Sequence, residues 1–185
     1  MNANELPEEL RRKAAKLQQY AMYRFPREAG QKTLRFINLN FRAQGYAGNG
    51  YTAWKDNIRK TTILIRKGHL RRSIKSDPQP GQMRVYTDLP YSRVHNRGFN
   101  GTVNVRAHTR RSFEAIKVGT GRYTKSGNER MRTVHKETGN YTVAAHTRKM
   151  NIPKRQFMPE TEADAQNLIN SIRRDVVDFI KQLFP

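Results

Sequence analysis

The stretch MNIPKRQFMPETEADAQNLIN (150–170) marks a change of character near the end of a chain of 185 residues. The formal net charge is +21, from 36 Lys and Arg against 15 Asp and Glu. Net charge is +5 over residues 1–50, +8 over 51–105 and +8 over 106–150, then zero over 151–185. The punctuation Ile152-Pro153-Lys154-Arg155-Gln156-Phe157-Met158-Pro159 predicts an extended, proline-stiffened connector, because the residue ahead of a proline is driven out of the helical region. Beyond it, Thr161 and Asp164 make a capping-box-like pair. Ile169, Ile172, Val176, Ile180 and Leu183 then recur at spacings of three and four, which predicts a helix with one buried stripe. Arg173, Arg174, Asp175, Asp178 and Lys181 occupy its other faces. The neutral tail thus reads as a structural helix packed on a sheet.

Working back toward the start, NELPEELRRKAAKLQQYAMYRF (4–25) reads as a helix with Pro7 in its first turn and Glu8 and Glu9 at the dipole end that favours anions. Leu6, Leu10, Leu17, Ala21 and Phe25 give a broken apolar stripe, and Pro26 is expected to break or kink it. A second helix is expected over 28–43, with Leu34, Ile37 and Phe41 on one face and Gly45 as its stop. GYAGNGYTAW (45–54) is a loop by its glycines, and Trp54 is expected to bury against a helix. Residues 61–77 combine a β-branched run with a glycine break. Pro78, Pro80 and Gly81 form a turn into a strand in which Met83, Val85 and Thr87 alternate with Arg84 and Tyr86.

Residues 100–150 contain an echo: VRAHTRR (105–111) and VAAHTRK (143–149). Glycines 119, 121, 127 and 139 lie between them. The pattern predicts two strands of a long hairpin arm with a basic tip. The expected class is α+β: N-terminal helices, a small antiparallel sheet with that arm, and the C-terminal helix. The expected organisation is a single domain over 1–185 with the arm inserted at about 100–150.

Composition narrows the chemistry. Without cysteine there are no disulfides or thiolate metal sites. The five histidines lack carboxylates at ligand spacing, so neither a metal nor another cofactor is expected. Asp56, Asp77, Asp88, Glu114, Glu129 and Glu137 form no tight pair, and no Ser has an evident relay partner, so the chain reads as a non-enzyme. No apolar run approaches the roughly 20 residues that span a bilayer, and MNANELPEEL lacks the apolar centre of a secretion signal. Such an excess of cations does attract polyanions.

LIRKGHLRRSI (64–74), VYTDLPYSRVHNRGF (85–99), IPKRQFM (152–158) and the amphipathic end together resemble the phage virion morphogenesis family, the tail-completion or neck proteins of tailed bacteriophages. The matching positions are Gly68, Leu70, Ser73 and Ile74; Tyr91, His95 and Gly98; and Ile152, Pro153, Arg155 and Phe157. The chain departs from the family between Gly98 and Ile152, where the usual connection is shorter. The resemblance implies a virion protein that forms a ring, of six or twelve copies, at the head–tail junction after assembly in the host cytoplasm. It implies portal, adaptor and stopper proteins on one side, tail tube protein on the other, and double-stranded DNA passing through. Arg71 and Arg72 read either as contacts to DNA phosphates or an acidic ring partner, or as a solvated face. Arg106, Arg110, Arg111, Arg122, Lys125, Arg130, Arg132, Lys136, Arg148 and Lys149 are the arm's candidate contacts to DNA or to a neighbouring subunit. The alternative is a free basic nucleic-acid-binding protein. His95, four residues after Tyr91, is expected to be a structural hydrogen-bonding residue.

Overall fold

The structure, a computed structural model, describes residues 7–57 and 61–185. The chain divides into two compact units, Met1–Phe99 with Asn151–Pro185, and Asn100–Met150. The class is α+β.

The first unit is organised by one long helical element. Helix α1 (Glu8–Gln19) runs through a five-residue π turn (Tyr20–Arg24) into α2 (Phe25–Ala43). Leu6 lies outside the described residues. Helical structure continues past Pro26, through the change from the π turn to α2, and Pro26 is buried in the first turn of α2. The reason is local. A proline cannot donate to the carbonyl four residues back, and that carbonyl, of Met22, instead accepts the Gly81 N–H at 2.9 Å. The π turn and the proline together open a carbonyl to which the Pro80-Gly81 turn is fastened.

Strands β1 (Gly45–Tyr46) and β2 (Thr52–Ala53) form a minimal hairpin inside the glycine-rich loop. The β-branched run at 61–65 forms no strand; Ile63 plugs the core, with its N–H on Gln44 Oε1 at 2.5 Å. Helix α3 (His69–Ser73) follows Gly68, whose φ of 68° is left-handed, and leads into β3 (Ile74–Gln79). β3 pairs antiparallel with β4 (Gln82–Thr87) from Ile74↔Thr87 to Gln79↔Gln82. The turn is therefore Pro80-Gly81, and Pro78 belongs to the strand. Helix α4 (Ser92–Arg97) follows.

Helix α2 lies between this hairpin and α5 (Gln166–Leu183). A side chain added at Gly30 would collide with Ser76 of β3. Lys32, two residues on and so about 200° round the helix, reaches the Ser171 carbonyl at 2.8 Å and the Asp175 carboxylate. The C-terminal helix thus packs on α2, which carries the sheet on its opposite side. The core joins Ile37 and Phe41 of α2 to Trp54, Ile63, Leu70, Ile74 and Phe157. Trp54 meets Phe41 edge-on at 5.6 Å, as a core residue should.

The second unit holds β6 (His108–Tyr123), β7 (Glu129–Val143) and all but the outer ends of β5 (Phe99–Val105) and β8 (His146–Ile152). β5 pairs with β8 and β6 with β7. The two echoed segments each end one strand and begin the next. His108 Nδ1 lies 2.9 Å from the Arg106 carbonyl, and His146 Nδ1 lies 3.0 Å from the Ala144 carbonyl. The repeat encodes the same strand break on both sides of the hairpin.

Candidate functional site

The connector 152–159 is extended, but it runs through the core and not over it. Phe157 is 1 % exposed and packs on Phe41 at 5.2 Å. An irregular segment in such a place must have its backbone groups satisfied by side chains. Four do so. Asn96 Oδ1 accepts from the Phe157 and Met158 N–H groups at 2.9 and 3.0 Å, while its Nδ2 donates to the Met158 carbonyl and Glu160. Asn40 donates to the Phe157 carbonyl at 3.2 Å, and the Trp54 indole to that of Gln156 at 2.7 Å. Gln156 donates to the Met158 carbonyl at 3.3 Å and to Asp164 at 2.6 Å. In addition, the Arg155 N–H bonds the His95 carbonyl at 2.8 Å, and Arg155 binds the Lys55 carbonyl.

The second and third resemblance blocks are therefore two halves of one joint. Gly98, at φ 78°, lies so close to the connector that a Cβ would come 2.8 Å from the Lys154 nitrogen. His95 packs edge-on against Tyr91 at 6.0 Å, and burial with nearby Arg155 pushes its imidazole below the ordinary value. Its Nδ1 is buried without a hydrogen-bond partner among the described residues, so the structure does not show the hydrogen-bonding role expected of it. In the first block, Leu70 and Ile74 enter the core and Ser73 bonds the Leu70 carbonyl and Thr87.

Thr161 and Asp164 cap reciprocally, at 3.0 and 3.3 Å, but they cap the 3-10 turn Ala163–Ala165 ahead of α5. Burial would raise the Asp164 carboxyl; the Thr161 N–H, the Gln156 amide and the Glu160 N–H outweigh it and hold it below its usual range.

The expected buried stripe of α5 is not buried in the single chain. Leu168 is its only buried residue. Ile169, Ile172, Val176 and Leu183 are half-buried, while Val177, Ile180 and Phe184 are 41, 40 and 43 % exposed. No residue of helix α1 is fully buried, Lys13 and Leu17 are half-buried, and Leu10 is 42 % exposed. The bridges from this region to α5 are narrow. Tyr20 stacks on Phe179 at 3.8 Å, and Lys13 sits over Phe184. A cleft of about 440 Å³ lies between the π turn with α2 and α5, lined in part by Arg24, Glu28, Lys32 and Asp175.

The candidate basic residues separate into two kinds. Arg71 is half-buried and tied to Asn38 at 2.6 Å, and Arg72 donates to the Lys67 carbonyl. Both belong to the first unit, where Arg71 fastens α3 to α2. The other ten, from Arg106 to Lys149, lie on the second unit and all are exposed. No residue of 100–150 is buried. Among the described residues, no group of three or more His, Asp or Glu gathers to hold a metal, and no helix is long and apolar enough to cross a membrane.

Sequence reasoning missed Asn96 and Asn40, the amides that seat the connector. A signal existed for Asn40, which stands beside Phe41 on the apolar stripe begun by Ile37. A polar residue there needs a partner. It also missed Tyr20, which the π turn aims at Phe179.

An α+β body with a connector threaded through its core, an under-covered terminal helix and an inserted basic ribbon is the class these features define. The family model for the phage virion morphogenesis family matches residues 2–177, and the chain belongs to that family. Its role therefore lies in building a phage virion. No curated protein and no solved structure matches it.

Proposed function

We propose that the chain is a structural protein of the head–tail junction, forming a ring that completes the tail and joins it to the head while letting DNA through. The observation that carries this is the half-exposed apolar stripe of α5. A chain of net charge +21 repels its own copies. Contact between copies is cheapest where charge balances, and residues 151–185 are the neutral stretch. There Val177 and Ile180 stand 41 and 40 % exposed. A closed ring uses two different patches on each subunit; α5 supplies one, and the exposed face of α1 around Leu10 supplies the other. Six copies suit the tail side. The neighbours are portal, adaptor and stopper proteins toward the head and tube protein toward the tail, and the assembled ring belongs to the virion neck.

The test is genetic. Phage lacking this chain should accumulate filled heads and separate tails. The wild-type chain should restore joined particles, and V177E/I180E, which places carboxylates on the exposed apolar surface of α5, should not. Normal particles from the double variant, or from phage lacking the chain, would refute the proposal.

A further inference from the structure

We propose that the β6–β7 ribbon is a sequence-independent binding element for duplex DNA, seated in a groove. This deepens the neck reading but rests on the ribbon's own charge and shape. Residues 100–150 carry eleven basic and three acidic groups, net +8. None of these residues is buried, so they are not held by a core of their own. Arg111 pairs with Glu137 at 3.5 Å. Glu129 is engaged with the Gly121 N–H at 2.9 Å. The acidic groups thus answer little of the unit's positive charge.

Where the cations point decides the partner. Residues directly opposite on antiparallel strands share a face. The register pairs Arg110 with Tyr141, Glu114 with Lys136 and Val118 with Arg132, which puts Arg110, Lys136 and Arg132 on one face. It pairs Arg111 with Asn140 and Lys117 with Thr133 on the other. Apolar side chains are split in the same way, with Ile116 opposite Val134 on the first face and Phe113 on the second. Arg122 and Lys125 stand at the tip. An acidic protein surface would cover one face and leave the other's cations unanswered. A nucleic-acid groove offers phosphates on both sides of whatever enters it. The major groove of B-form DNA is about 12 Å wide and admits a two-stranded ribbon. At about 3.4 Å per residue, the 16 residues of β6 extend roughly 50 Å, more than one helical turn of duplex. The contacts are to phosphate, and they position without specifying.

The experiment uses the full chain and a random-sequence 30-base-pair duplex, with affinity measured against salt. Each phosphate contact contributes about 0.9 to the slope of log affinity on log salt. Changing Arg110, Arg122, Lys125, Arg130 and Arg132 to Gln should lower that slope by roughly 4. A charge-matched control changes Arg35, Arg42, Arg66, Lys67 and Lys154, all exposed on the first unit; its slope should fall by less than about 1. Equal losses in the two variants, or no measurable duplex binding by the wild type, overturn the proposal. So does poly-glutamate displacing the duplex at equal charge, which would mark an acidic protein as the partner. The particle mass of the five-site ribbon variant, taken without DNA, reports on ring formation separately.

Discussion

Asn96→Ala tests the joint between α4 and the connector. The Asn96 side chain makes four hydrogen bonds and is 6 % exposed. Alanine leaves the Phe157 and Met158 N–H groups without their acceptor, inside the core. An orphaned buried donor costs about 1–3 kcal/mol, and the lost bond to the Glu160 carboxylate adds to this. Water entering the vacated space recovers part of the loss, so the net cost should be about 3–5 kcal/mol. At about 2–4 °C per kcal/mol for a chain of this size, the melting temperature should fall by roughly 6–20 °C. Trp54 is the only tryptophan, and its indole bonds the Gln156 carbonyl, in the same peptide group as the Phe157 N–H, so its fluorescence reports this joint directly. Urea unfolding followed by that signal gives the number. Asn96→Asp keeps the acceptor for both N–H groups but sets a carboxylate against Glu160, and should lose less than alanine near pH 4 than at pH 7. A change below about 1 kcal/mol for Asn96→Ala would show that the connector is held by packing alone.

Two further outcomes follow from the same joint. Asp164 and Glu160 are both held below their usual carboxylate range. Their contribution is therefore complete above the ordinary carboxylate pKa of about 4 and is lost as pH falls through their lower folded values; Asp164→Asn should flatten the acid limb of a stability–pH curve. Gly98→Ala, strained in φ and pressed on Lys154, should cost clearly more than the roughly 1–2 kcal/mol of a left-handed residue, whereas Gly121→Ala, with φ 68° and open space, should cost about that much or less, both read by thermal melts.

What was legible in the sequence was whatever local chemistry determines. The spacing Leu34–Ile37–Phe41 specifies the buried face of α2, and Thr161 with Asp164 specifies a cap. The alternation after Gly81 specifies β4, and the echoed VRAHTRR and VAAHTRK specify the flanks of a hairpin. What was not legible depends on partners distant in sequence. Pro26 reads as a breaker until the Met22 carbonyl is seen to serve Gly81, 59 residues away. Asn96 is one polar residue in a short helix until Phe157 and Met158 arrive against it. The stripe of α5 is correctly periodic, but periodicity cannot say whether the covering surface belongs to the same chain. Of the basic residues, Arg71 and Arg72 could not be told from those of the ribbon by composition; the fold separates them, because the first two are bonded into α3 and the rest stand on a unit with no buried residue.

The claim that copies of this chain cover one another's terminal helices is tested most directly by the native mass of the purified full-length protein, without DNA or other virion proteins, across a hundredfold concentration range. A single closed species of six copies, reduced to monomer by V177E/I180E, is the predicted result. A monomer of 21.6 kDa throughout, with Val177 and Ile180 freely solvent-exposed, would contradict it.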